Sequence, residues 1–179
     1  ISVVESLKHG GIANGVSVNI KWVDSEKVTA ENVEEFLGDV SGIIVPGGFG
    51  DRGIEGMIQS IRYAREKKVP FLGLCLGMQL TIVEFTRDVV GYNDAHSVEF
   101  LPGTTHPVIH LMPDQEGIDD IGGTLRLGSY PCILDESSKA YALYGSKEIH
   151  ERHRHRYEVN NDFRNVLTEN GMLLSGISP

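Results

Sequence analysis

Val69-Pro-Phe-Leu-Gly-Leu-Cys-Leu-Gly-Met-Gln79 is the stretch on which the fold turns. The apolar run reads as a short buried strand, with a proline near its start and a glycine near its end. It runs into Cys75 between Gly73 and Gly77, and a helical pattern then begins at Leu76, Leu80 and Val83. Gly-x-Cys-x-Gly at a strand-to-helix turn has the form of a nucleophile elbow with sulfur in place of hydroxyl. Small residues let two backbones approach closely, and the first turn of a helix offers unpaired N–H groups to a thiolate or a developing oxyanion. The other reading of Cys75 is a small hydrophobe on a strand. The glycine frame favours the exposed, reactive one.

Working outward, the pattern alternates. Val3, Val4 and Leu7 open a helix that Gly10-Gly11 should close. Val16 to Val23 alternates apolar and polar residues and predicts a strand with one buried face. Thr29 is the expected N-cap of a helix from Ala30 to Leu37. Gly42 to Val45 predicts a buried strand, ended by Pro46-Gly-Gly-Phe-Gly50, and Ile54 to Lys67 a helix with Ile54, Met57, Ile58 and Ile61 on one face. The elbow helix should run to about Val90. Helix and strand in alternation imply an α/β fold, a mostly parallel sheet with helices on both sides, whose sites form at the carboxyl ends of strands. The Pro46–Gly50 loop and Cys75 both lie at such ends.

After Val90 the pattern changes. His106 to Met112 reads as a strand and Gln115 to Gly123 as an acidic loop. Thr124 to Leu127, Tyr130 to Leu134 and Ile149 to Val159 read as short strands in a small antiparallel part, and Phe163 to Asn170 as a helix stopped by Gly171. No repeat or linker divides the 179 residues, so one domain, residues 1–179, is expected. The net charge of −9 argues against a nucleic-acid partner. No apolar run reaches the length of a membrane span, and no signal peptide is read. Cys75 and Cys132 suggest no disulfide framework, so a reduced, cytoplasmic setting is expected. The chain opens in a helix without Met and stops at Pro179. It is therefore read as a piece of a longer protein, incomplete at both ends.

Several motifs carry more than one reading. Gly47-Gly-Phe-Gly50 is either a flexible turn or a source of backbone N–H groups that join the N–H of Leu76 in an oxyanion hole. A phosphate loop fits less well, because no Gly-Lys-Ser/Thr follows. Gln79, one turn beyond Cys75, is either a solvated helix position or an amide at the rim of a pocket. Arg152-His-Arg-His-Arg156, if extended, puts three arginines on one face and two histidines on the other. It reads as a solvated edge strand, a His-x-His metal site or a carboxylate-binding face. Cys132 reads as core. A thiol nucleophile wants a base. His9, His96, His106, His110, His150, His153 and His155 are all candidates, and spacing singles out none of them.

Together, Pro46-Gly-Gly-Phe-Gly50 and Gly73-Leu-Cys-Leu-Gly-Met-Gln79 resemble the pattern of the class I (triad) glutamine amidotransferases, which have a flavodoxin-like fold. Gly122-Gly-Thr-Leu-Arg-Leu-Gly128 and Glu151-Arg-His-Arg-His-Arg-Tyr-Glu-Val-Asn160 are similar to the C-terminal glutaminase domain of the CTP synthase family, over essentially the whole chain. The resemblance implies that Cys75 attacks the side-chain carboxamide of glutamine. The oxyanion is held at Gly48 and Leu76, ammonia leaves, and water resolves a glutamyl thioester to glutamate. Gly48, Leu76, Gly77, Met78, Gln79, Glu99 and Arg156 fall on glutamine-binding positions, with Glu99 suited to the α-ammonium. Phe49 falls where GTP, an allosteric activator, is contacted.

The resemblance further implies no cofactor and no metal in this domain. Its partners are glutamine and the chain's own synthetase domain, expected upstream, where ATP and Mg²⁺ drive amination of UTP to CTP in a homotetramer. The family's general-base His and its Glu lie in a Phe-His-Pro-Glu motif downstream of Pro179, so the fragment alone is expected to be inactive. A non-catalytic glutamine- or nucleotide-sensing module of the same fold, without the His–Glu pair, is the alternative. A related cysteine hydrolase acting on another substrate is a third reading.

Overall fold

The structure, a computed structural model, describes residues 1–111 and 126–179. The expected acidic loop Gln115–Gly123, Met112, and the first part of the Gly122–Gly128 motif lie outside the described residues. Ile1–Thr81 and Ile82–Pro179 are two compact units.

In the first unit, α1 (Ser2–Ala13) is followed by α2 (Val33–Leu37), β1 (Ile43–Val45), α3 (Ile54–Lys67) and β2 (Phe71–Gly73), and α4 (Leu76–Phe85) begins. The two strands pair in parallel, Ile43 beside Phe71 and Val45 beside Gly73. Parallel neighbours need a crossover, and α3 supplies it. Its Ile54, Ile58, Ile61 and Ala64 are buried, as 3.6-residue periodicity requires. Leu37, Ile43, Tyr63 and Ala64 form a core cluster with Val23, Val33, Phe36, Val40, Val69 and Phe71 packed on it.

Three local expectations are corrected. α1 runs through Gly10-Gly11 to Ala13, because glycine costs a helix only about 1 kcal/mol and does not by itself end one. Thr29 does not cap α2. Its backbone N–H donates to Asn32 Oδ1 at 2.8 Å, and Asn32 Nδ2 donates to Lys27 O, so these bonds close a turn and the helix starts later, at Val33. Residues 16–23 form no strand among the described residues. Val16 and Trp22 are 60% and 80% exposed, and only Val23 at the far end joins the core cluster. Alternating side chains make one face apolar, but a strand also needs a backbone ladder, and here none is supplied.

In the second unit, α4 ends and passes into a π-helical turn, Thr86–Val90, where an unbroken helix was expected. The strands are β3 (His96–Ser97), β4 (Pro107–Leu111), β5 (Arg126–Leu134), β6 (Glu148–His155), β7 (Tyr157–Val159) and β8 (Gly176–Ile177). The helices are α5 (Lys139–Tyr144) and α6 (Arg164–Glu169). One sheet has the order β3-β4-β7 and another β6-β5-β8. Among the described strands of this unit only β3–β4 is parallel; β5 and β6 form a long antiparallel ribbon, from Arg126 beside His155 to Ile133 beside Glu148. β5 runs unbroken over Arg126–Leu134 where two short strands were expected. Val83, Val108, Ile109 and Leu167 are fully buried.

α5 went unread. Its signals are Ser138, whose side chain accepts from Tyr141 N–H at 3.1 Å, and Gly145 just beyond its end.

Candidate functional site

Cys75 stands between β2 and α4 with φ +52, a left-handed conformation that costs a non-glycine residue about 1–2 kcal/mol. Its thiol is exposed. The turn is closed by Gly77 N–H to Leu74 O at 2.9 Å and Gln79 N–H to Cys75 O at 3.0 Å, and Leu74 N–H ties it to Val45 O at 2.9 Å. The glycine frame has a steric cause. A Cβ on Gly73 would lie 2.6 Å from Gly77 O, and a Cβ on Gly77 would lie 2.1 Å from Val45 O. The helix start therefore rests directly on the ends of both strands.

The Gly-rich loop meets the turn. A Cβ on Gly47 would sit 3.2 Å from Cys75 Cβ and 3.9 Å from its sulfur, and one on Gly48 would sit 3.3 Å from Leu76 Cδ2. The 46–50 backbone thus passes beside the sulfur and the first residue of α4, where an oxyanion loop would have to be. Leu76 is buried, Phe49 is 72% exposed and Met78 is 41% exposed. Gln79 is buried, so the solvated reading of that position is set aside. Of the seven histidines, only His9, exposed on α1, belongs to the same unit as Cys75.

Glu99 and Arg156 lie in the second unit. Glu99 follows β3, and its backbone N–H donates to Ser97 Oγ at 3.2 Å. Burial pushes its carboxyl up, and the nearby Arg156 guanidinium opposes the shift. Arg156 interrupts the strand that was expected to run from Ile149 to Val159. It sits at the bend where the chain leaves β6 for β7 and the other sheet. The three arginines therefore do not share a face: Arg152 and Arg154 are exposed on β6, while Arg156 is half-buried beside Glu99 and its Nε has no hydrogen-bond partner among the described residues.

His153 and His155 bond to each other instead of to a solvated edge. His155 Nδ1 lies 2.9 Å from Tyr157 O, an acceptor, so Nδ1 carries the proton; when neutral, His155 Nε2 then accepts from His153 Nδ1 at 2.8 Å. Among the described residues no group of three or more His, Cys, Asp and Glu side chains could hold a metal ion. Burial pushes both imidazoles below the ordinary value of 6.5, and the neighbouring histidine and Arg126 add to the effect at His153. The folded state therefore binds fewer protons than the unfolded chain just below that value. Stability is expected to fall as pH drops through 6.5 and to be retained above it. A His153→Gln/His155→Gln variant should flatten the dependence of the melting temperature on pH between about pH 8 and about pH 5. An unchanged slope would assign it elsewhere. Cys132 is half-buried beside Glu151, and burial first and that carboxylate second push its thiol up.

Residues 1–175 match the family described as glutamine amidotransferase class-I. The chain belongs to this family. Its fold is accordingly the class I amidotransferase fold, the α/β class that the alternation of helix and strand predicted. The amidotransferase chain is 62% identical over 179 residues to the CTP synthase of Clostridium acetobutylicum, covering all of this chain and 34% of that protein. It is 58% identical to the CTP synthase of Geobacillus kaustophilus, with the same coverage. A solved structure of the glutaminase domain of Trypanosoma brucei CTPS with bound acivicin superposes with a TM-score of 0.92 at 36% identity, over 99% of this chain and 69% of that one. Within the amidotransferases the likeness is therefore to the glutaminase domain of CTP synthase, and the chain spans about a third of the length of the curated relatives it matches.

Proposed function

We propose that this amidotransferase domain hydrolyses glutamine at Cys75 and supplies the ammonia to a synthetase domain of the same protein. The reading rests on one observation above all: a cysteine in a left-handed strand-to-helix turn with a glycine loop against it. The sulfur adds to the carboxamide carbon of glutamine. The C=O oxygen becomes an oxyanion at the backbone N–H groups of Gly48 and Leu76, and its collapse breaks the C–N bond. The nitrogen leaves as ammonia with one added proton, and water then cleaves the thioester to glutamate and the free thiol. Gly77, Met78 and Gln79 bind glutamine around the nucleophile. Glu99 takes its α-ammonium, and Arg156 serves the substrate's carboxylate, a planar group suited to a guanidinium.

The wider assignments follow from the kinship with CTP synthase. The ammonia aminates UTP to CTP, with ATP and Mg²⁺ acting in the synthetase domain outside residues 1–179. GTP activates the glutaminase, and the exposed Phe49 is its contact. The full-length protein is a cytoplasmic homotetramer. For this domain alone, no described helix is long and apolar enough to cross a membrane.

The test is covalent labelling. The full-length protein treated with 6-diazo-5-oxonorleucine, an electrophilic glutamine analogue, should carry one adduct on Cys75 by peptide mass spectrometry, and glutamine should protect against it. An unlabelled Cys75 would sink the nucleophile assignment.

A further inference from the structure

Glu99 is carried on a loop whose two ends are latched together by a single carboxylate. Asp94 Oδ2 accepts from Thr105 N–H at 2.8 Å and from Thr105 Oγ1 at 2.6 Å, while Asp94 Oδ1 faces His106 Nδ1 at 2.5 Å. Thr104 Oγ1 adds a bond to Asp94 O at 2.6 Å. The His106 ring is fixed in turn: it stacks on Tyr92 with centroids 4.2 Å apart and meets Phe163 edge-on at 6.4 Å. Asp94 and Thr105 are 11 positions apart, so these bonds close the loop 94–105 at its base. Inside the loop, Arg87 Nε donates to Ala95 O at 2.8 Å, and Val98 N–H donates to Ile109 O at 3.0 Å.

From this geometry we infer that Asp94, acting through Thr105 and His106, is a positioning residue for Glu99. The Asp94 side chain is 42% exposed. A carboxylate at a surface position with three polar atoms turned towards it is more than a solvated charge. The Thr105 hydroxyl first and His106 second hold its carboxyl well below the usual range, so it is ionised at neutral pH. Closing a loop at its base removes conformations that the residues at its tip would otherwise sample, and a ligand then meets its carboxylate already placed.

The inference rests on the proposed role of Glu99, and the experiment separates the two. In the full-length protein, Asp94→Ala should raise KM for glutamine about tenfold, the size of a lost charge-assisted hydrogen bond, with little change in kcat. Ammonia-dependent product formation should not change. Asp94→Asn keeps an acceptor for Thr105 and should fall between wild type and alanine. Thr105→Val removes only the hydroxyl and should raise the same KM by a few-fold, which decides the matter if Asp94→Ala does not fold. If Glu99→Gln raises KM and neither latch variant does, the latch is overturned and the Glu99 assignment stands. If Glu99→Gln leaves KM unchanged, both fail. A drop in glutamine-dependent and ammonia-dependent rates together would mark Asp94 as structural only and also overturn the inference.

Discussion

Cys75→Ala in the full-length protein is expected to lower glutamine-dependent product formation by about 10⁴-fold or more, since removing a nucleophile that acts as a unit with its base abolishes the covalent route. Product formation from free ammonia should persist, because that nitrogen enters after the step proposed for Cys75. Loss of both activities would contradict the division of labour proposed for the two domains. The φ of +52 adds a second expectation. Alanine at this position keeps the left-handed strain, whereas glycine releases it. Cys75→Gly should be equally inactive and yet melt higher than Cys75→Ala, by about 1 kcal/mol of stability after glycine's added unfolded-state entropy is subtracted. A Cys75→Gly protein that melts below Cys75→Ala would show that the turn stores no strain, and that the cysteine does not owe its exposure to a conformation the rest of the fold enforces.

Gly77→Ala carries the largest expected effect on stability. Its added methyl would lie 2.1 Å from Val45 O and 2.8 Å from Val45 C, both backbone atoms of a paired strand that cannot rotate aside. Either α4 lifts from β1 or β1 leaves β2. Overpacking against rigid backbone costs about 3 kcal/mol, which for a domain of this size lowers the melting temperature by about 6–12 °C. Met78→Ala, next in sequence but 41% exposed, should melt within about 2 °C of wild type. The elbow also predicts a chemical consequence. Lifting α4 moves Leu76 and the sulfur away from the Gly47–Gly48 backbone, so whatever Gly77→Ala protein remains folded should label slowly with the glutamine analogue. Normal melting and normal labelling together would mean that the close approach of helix and strand does not matter.

The elbow was legible because its causes are local. Gly73 and Gly77 have no side chain to clash, the apolar run sets the strand, and the pattern from Leu76 onward sets the helix. α3 was read with its observed bounds, Ile54–Lys67, for the same reason. Thr29 misled because a side chain that can cap a helix can equally sit in a turn, and Asn32 won that competition. Val16–Val23 misled for a different reason. Its alternation describes a face, and a strand is made by a neighbour. Arg152, Arg154 and Arg156 read as equivalent in sequence, yet the chain leaves one sheet for another at Arg156, and only that guanidinium is half-buried near a carboxylate.

By itself, then, the sequence determined the α/β class, the family and the glycine-framed turn that carries Cys75. Each is assembled from elements and motifs that are set by residues within about ten positions of one another, where backbone sterics and side-chain periodicity act directly. Tertiary structure alone decided which groups meet across sequence. It set the Gly47 backbone against the Cys75 sulfur and fastened Asp94 to Thr105 and His106. It also bonded His153 to His155 and separated Arg156 from its neighbours. Those pairings follow from strand order and loop closure, which sum many weak contacts over the whole unit and leave no mark on any single stretch of chain.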